Sequence, residues 1–295
     1  MRQSWILGLI VSLSALTALP AVSEEQNVSI SNGMYSIPGI LALPSSTQDL
    51  VPAVLLLHGT ASQKNEVGNL YQHLAKVLAD AGIASLRIDF AGAGDSPVDH
   101  GRYSLSGATR DAQASFDYLV EHPMLHSHKI IALGFSQGGL VAQRLALQEP
   151  GLLALATWSS VATDGAGSFA DFFDDYYQQA VSAGYAQVSF EWLPEPLAFS
   201  LQWFQEIEAQ QTLSEMRDFK KPILAIAGAA DRTVPYQQSM DLISQSNHPM
   251  SQLVLLAGAG HVFNVLTPRE NSPQKTSSHE RLLSLSREWI VEVVR

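Results

Sequence analysis

Short apolar runs alternate with longer amphipathic ones along most of the chain. Residues 53–57, 84–90, 129–135, 153–158, 223–227 and 252–257 are mostly apolar stretches of five to seven residues, the length of strands covered on both faces. Between them, 67–81, 105–121, 137–148 and 236–246 carry apolar residues at helical spacing, and a last helix is predicted over 278–294. Strand and helix in alternation predict an α/β fold, a mostly parallel sheet with helices on both faces. Residues 27–43 differ. Polar and apolar positions alternate there around Ser31-Asn32-Gly33, which predicts an antiparallel hairpin at one sheet edge.

One stretch breaks the rhythm. About 60 residues separate the run at 153–158 from the one at 223–227, and they hold Phe169, Phe172, Phe173, Tyr176, Tyr177, Tyr185, Phe190, Trp192, Phe199, Trp203 and Phe204. No lysine or arginine occurs from Leu145 through Met216, whereas ten aspartates and glutamates do. A long aromatic insertion in an α/β unit reads as a lid or binding element over about 161–216. The alternative is a helical ornament whose aromatic side chains complete the core.

Composition narrows the function classes. The chain has 295 residues, 46% of them hydrophobic, enough for one large domain or two small ones. A formal net charge of −11 disfavours nucleic acid, whose phosphates demand a basic footprint, and disfavours an anionic membrane surface. The absence of cysteine excludes a thiol nucleophile, disulfides, cysteine-ligated zinc and iron–sulfur clusters. At the N-terminus, Arg2 precedes an apolar run from Trp5 to Leu19, and Ala21-Val22-Ser23 offers small residues for cleavage. That is the pattern of a secretory signal over 1–23, which predicts an exported, periplasmic or secreted protein. Its 15-residue apolar core is short for a bilayer span of about 20. An uncleaved anchor is the alternative; no stable membrane insertion of the mature chain is expected.

The candidate chemistry begins at Gly134-Phe135-Ser136-Gln137-Gly138, between an apolar run and a helix-like one. A serine on a tight strand-to-helix turn is pushed out at the top of a sheet, where it can meet a base and a substrate. An activated serine needs a histidine within hydrogen-bond reach and an acid to orient it. In doubly wound sheets, functional groups gather at the carboxyl ends of strands. The run at 223–227 leads into Gly228-Ala229-Ala230-Asp231, and that at 252–257 into Gly258-Ala259-Gly260-His261. Ser136, Asp231 and His261 therefore stand in the serine–acid–histidine order of a nucleophile elbow. His261 is the expected base and Asp231 its orienting acid, with Asp164 as the rival acid. The expected oxyanion donors are the backbone N–H groups of Gln137, at a helix start, and of Thr60, in the loop after 53–57. His58 is expected to bond neighbouring backbone and shape that loop. His73, His100, His122, His126, His128, His248 and His279 fall in helices or polar loops and are expected to be solvated. The loop Asp89 to Ser96 contains G-x-G but no following helix or lysine, so it reads as a tight loop beside the site rather than a phosphate cradle.

These pieces resemble the α/β-hydrolase family: His58-Gly59, Asp89-x-x-Gly92-x-Gly94-x-Ser96, the elbow at Ser136, Asp231-x-x-Val234-Pro235 and Gly258-x-Gly260-His261. Within it, His58 to Glu66 and Gly134 to Gly139 are similar to the cinnamoyl and feruloyl esterase branch and its lysophospholipase-like and serine-aminopeptidase-like relatives. The resemblance implies an α/β-hydrolase domain over 24–295, a small-molecule ester as partner, no cofactor or metal, and a lid after the sixth strand. Thr60 departs from the aromatic residue frequent at that position. The expected function is a serine hydrolase that cleaves carboxylic esters bearing an apolar or aromatic group. The alternatives are a serine aminopeptidase, with Asp171, Asp174 and Asp175 to hold a substrate ammonium, and a non-catalytic binding protein on the same scaffold. Nothing in the pattern sets an oligomeric state.

Overall fold

The computed structural model describes residues 24–45, 49–267 and 277–295, so the signal-like segment at 1–23 lies outside the described residues. In chain order the elements are β1 (Glu24–Ser31), β2 (Ser36–Leu43), β3 (Val51–Leu57), α1 (Leu70–Ala79), β4 (Ala84–Ile88), α2 (Leu105–Glu121), β5 (Leu125–Phe135), α3 (Gln137–Gln148) and β6 (Ala154–Trp158). There follow α4 (Ala170–Ala183), β7 (Tyr185–Val188), β8 (Leu197–Ser200), α5 (Leu201–Ala209), α6 (Thr212–Glu215), β9 (Ile223–Gly228), α7 (Gln237–Ser244), β10 (Gln252–Leu256) and α8 (Ser278–Val294).

Eight strands form one sheet in the order β1-β2-β4-β3-β5-β6-β9-β10. The pairs β1/β2 and β2/β4 are antiparallel, and the remaining pairs are parallel. The N-terminal hairpin thus sits at one edge as the alternation predicts. Its turn closes through Asn32, whose side-chain oxygen accepts the N–H groups of Met34 and Tyr35.

Successive residues of β3 point to opposite faces, as the two-residue strand period requires. Leu55 and Leu57 pack into a layer with Leu105, Phe116 and Leu145 of α2 and α3. Val54 and Leu56 pack into a second layer with Leu74 of α1 and with Leu282 and Trp289 of α8. A strand covered on both faces has no need of polar positions, and β3, β6 and β9 have few. A capping box between Ser277 and Glu280 starts α8, satisfying backbone donors that the first helical turn leaves open.

Two strands differ from the sequence expectation. β10 lies at the sheet edge and is half-exposed rather than buried, with Leu255 39% exposed. β5 begins at Leu125, because Val51 pairs with Leu125 ahead of a register shift at Ala53. His126 and His128 therefore lie on a strand. Residues 161–216 are structured, as the reading of a lid, binding element or helical ornament requires: they hold α4, the antiparallel hairpin β7/β8, α5 and α6. Phe169, Phe199, Trp203 and Phe204 are buried there, with the Trp203 ring 5.1 Å from Phe169 and 4.9 Å from both Phe199 and Phe204. Most of the aromatic side chains thus pack against one another. Tyr185 and Trp192 are exposed, at 44% and 65%, although the Trp192 ring lies 5.0 Å from that of Phe190.

Candidate active site

Ser136 connects β5 to α3 with φ 53° and ψ −122°, a left-handed conformation rare for a residue with a side chain. Neighbouring backbone holds it there. Its N–H donates to the Trp158 carbonyl at 3.0 Å, and its carbonyl accepts from Gly139 and Val161 at 3.0 and 3.1 Å. The flanking glycines are steric requirements. A Cβ on Gly138 would lie 2.1 Å from the Leu57 carbonyl oxygen, and one on Gly134 would lie 2.2 Å from the Gly138 carbonyl oxygen.

Three strand ends bring three side chains together. His261, after β10, has Nε2 3.1 Å from Ser136 Oγ. Its Nδ1 lies 2.8 Å from Asp231 Oδ2, on the turn after β9. The other Asp231 oxygen accepts the N–H groups of Thr233 and Val234, both at 2.9 Å, which fixes the carboxylate plane. Burial works against ionising Asp231, but the hydrogen bond and charge of His261 with the Val234 N–H outweigh it, so its carboxyl lies below the usual value. Asp231 stays an acceptor at neutral pH, which makes His261 Nδ1 the protonated nitrogen and leaves Nε2 free to accept from Ser136. Asp164 is elsewhere: exposed, and bonded through both oxygens to Ser214.

Thr60 and Gln137 face each other across the site. Thr60 Oγ1 donates to Gln137 Oε1 at 2.6 Å. Gln137 opens α3, so its backbone N–H has no acceptor within the helix. Among the described residues neither it nor the Thr60 N–H has a protein acceptor.

The loop carrying Thr60 is anchored by residues whose role the spacing did not reveal. Glu66, buried at 3% exposure, accepts the Gly59 N–H at 2.5 Å, the Val67 N–H at 2.9 Å and the Ser62 hydroxyl at 2.9 Å. Burial pushes its carboxyl up, and those donors only partly offset it. Lys64 bonds Asp89 at 2.5 Å and Asp95 at 2.7 Å, joining this loop to the one after β4. His58 behaves as expected. Its Nε2 accepts the Phe90 N–H at 3.1 Å, so Nδ1 is the protonated nitrogen and donates to the Gly59 carbonyl at 2.8 Å. Burial lowers its pKa to about 4, leaving it neutral and with both nitrogens occupied.

A cavity of about 210 Å³ adjoins Thr60 and Gln137. Phe90, Ala91 and Gly92 of the tight loop form one wall, and Leu193 and Leu197 of the insertion form another. The insertion thus contributes leucines to the cavity, while its rings serve packing. Asp171, Asp174 and Asp175 are exposed on α4 and do not line it. His100 does line it, contrary to the expectation of a solvated side chain. It stacks on Tyr103 at 5.4 Å, and Gly92 makes room for it, since a Cβ there would lie 2.1 Å from the His100 Cα. Among the described residues no cluster of three or more His, Cys, Asp or Glu could hold a metal, and no helix is long and apolar enough to cross a membrane.

A mostly parallel sheet with this elbow and this order of strand-end residues defines an α/β-hydrolase. Residues 54–271 match the Alpha/beta hydrolase family, and the chain belongs to it. Among solved structures, Est1E from Butyrivibrio proteoclasticus with ferulic acid bound is similar with a TM-score of 0.68 and 18% identity, over 90% of this chain and 96% of that one. The esterase domain of a Rhodothermus marinus protein is similar with a TM-score of 0.65 and 20% identity, over 92% of this chain and 100% of that one. At those identities the likeness is one of fold. The lysosomal thioesterase PPT2 homolog of Drosophila melanogaster is 40% identical over 74 residues, 25% of each protein, so the match spans a quarter of that relative's length.

Proposed function

We propose that this chain is an exported serine hydrolase that cleaves carboxylic esters through an acyl-enzyme on Ser136, with residues 161–216 as a lid-like element over the substrate. The observation that carries this reading is the hydrogen-bonded line from Asp231 through His261 to Ser136, on a strained elbow beside two unengaged backbone N–H groups.

His261 Nε2 takes the proton of Ser136 Oγ as the oxygen attacks the ester carbonyl carbon. The carbonyl oxygen becomes an anion and is received by the N–H groups of Thr60 and Gln137. Removing one such donor typically costs about 3–4 kcal/mol of transition-state stabilisation. The tetrahedral intermediate collapses, the carbon–oxygen bond to the alcohol breaks, and the alcohol leaves with the proton from His261. Water then attacks the acyl-enzyme with His261 as base, releasing the acid and restoring Ser136. Asp231 holds the imidazole tautomer and stabilises its cation throughout.

Ester cleavage is favoured over peptide cleavage because the carboxylates available to hold a substrate ammonium face solvent on α4, away from the cavity. Export is supported by Arg2, the apolar run to Leu19 and the small residues before Glu24.

The test pairs labelling with turnover. A fluorophosphonate should add to Ser136, and Ser136→Ala should abolish hydrolysis of short p-nitrophenyl esters while the fold is kept. The panel includes an acyl thioester, given the partial match to a thioesterase homolog. Retained turnover by a clean Ser136→Ala preparation would overturn the assignment.

A further inference from the structure

Resting on the ester-hydrolase reading, we infer that His100 is a specificity-determining residue. Its free ring nitrogen accepts a hydrogen bond from a hydroxyl carried by the apolar group of the substrate that fills the cavity beside Thr60 and Gln137.

Nδ1 of His100 lies 2.9 Å from the Ala198 carbonyl oxygen, an atom that cannot donate, so Nδ1 carries the ring proton. Nε2 is then the lone-pair nitrogen, and no protein donor among the described residues engages it. The two side-chain carbonyls on the cavity wall are both taken: Gln137 Oε1 accepts from Thr60 Oγ1 at 2.6 Å, and Gln63 Oε1 accepts the Asn65 N–H at 2.9 Å. Ser62 Oγ donates to Glu66.

The ring is held in place. It stacks on Tyr103 with 14° between planes, meets Phe199 at 4.9 Å and is backed by Gly92. The bond to Ala198 ties it to β8, so it joins the body of the protein to the insertion. Burial lowers its pKa, so the ring is neutral, and Nε2 an acceptor, at neutral pH.

The remaining wall is largely apolar, and the cavity is small, at about 210 Å³. That suits one compact apolar group rather than a long chain. An acceptor set into such a wall discriminates strongly, because a ligand lacking the donor displaces water from Nε2 and leaves it unpaired.

The experiment uses the full chain and matched esters of phenylacetate and its ortho-, meta- and para-hydroxy derivatives, each hydroxyl paired with its methoxy counterpart. Wild-type protein should favour one hydroxyl position by about tenfold in kcat/KM over both phenylacetate and the matching methoxy ester. In His100→Phe, which keeps a ring against Tyr103 and Phe199, that ratio should fall to about one. His100→Gln, whose side-chain oxygen can accept near the same place, should recover part of it. Thermal melts of both variants check folding. No favoured position in wild type, or the same ratio in His100→Phe, overturns the inference. Failure of the underlying reading looks different: no ester is turned over and no fluorophosphonate adduct forms on Ser136.

Discussion

The Thr60 hydroxyl donates to the Gln137 side-chain carbonyl at 2.6 Å. This bond joins the two loops whose backbone N–H groups are proposed to receive the oxyanion. One loop follows β3 and the other opens α3, so each could shift without the other. The tie makes their spacing a single quantity. Thr60→Val removes the donor and leaves a buried carbonyl without a partner, a loss typically of about 1–3 kcal/mol. We expect kcat to fall about tenfold with KM within about twofold, and Thr60→Ser to keep most of the activity. Steady-state kinetics on a p-nitrophenyl ester decides this; equal losses in the two variants would remove the hydroxyl from the account.

Glu66 acts one step further out. Its carboxylate occupies the Gly59 and Val67 N–H groups and the Ser62 hydroxyl. Glu66→Gln keeps one acceptor oxygen and brings an NH2 group against donors it cannot serve. Urea unfolding should show a destabilisation of about 1–3 kcal/mol. Because the loop also sets Thr60, kcat should drop more than KM rises. A variant as stable and as active as wild type would mean the loop holds its shape without the carboxylate.

The histidine's partner gives a paired comparison. Asp231→Asn retains a side chain of nearly the same size but can present an N–H toward Nδ1, favouring the wrong imidazole tautomer. In serine hydrolases that change costs about four orders of magnitude in kcat, and a loss of three to four orders is expected here. Asp164→Asn should stay within about twofold, since Asp164 bonds Ser214 on the protein surface. Comparable losses in both variants would undo the choice of acid.

The strand ends were legible because each turn announces itself. A parallel strand of this sheet is a short apolar run, and Gly228 at the end of β9 and Gly258 after β10 mark where it stops. That located Ser136, Asp231 and His261 without tertiary knowledge. His100 and Glu66 were not legible in this way. His100 opens a short 3-10 turn and is placed by Ala198, far away in sequence, whereas Glu66 reaches Gly59 because its loop folds back over seven residues. No period or motif encodes such a path. Which side chains of the aromatic insertion reach the cavity was not legible for a related reason. The insertion's composition signalled a ligand, yet Trp203, Phe204 and Phe199 are buried against each other, because a helical unit that size needs a core of its own. The leucines that reach the cavity, Leu193 and Leu197, flank Pro194 and Pro196 in an unremarkable segment.

Two buried groups should set opposing pH dependences of stability. Asp111 on α2 accepts from Asn32 and Tyr35 at the hairpin turn, and burial pushes its carboxyl up to about 6. The folded protein therefore holds this proton more tightly than the unfolded chain does. Stability from Asp111 is present at low pH and is lost as pH rises from about 4 to about 6. His58 runs the other way. Its pKa is lowered to about 4 by burial, so its share of stability is present above about 6.5 and is lost as pH falls toward 4. Over the same window the two largely cancel. Asp111→Asn removes one side of the balance, and its stability relative to wild type should rise with pH between about 4 and 6, by at most about 1.4 kcal/mol per pH unit for one proton. Urea unfolding at pH 4.5, 5.5 and 6.5 measures this. A difference between the two proteins that stays constant across those pH values would show that Asp111 titrates alike folded and unfolded.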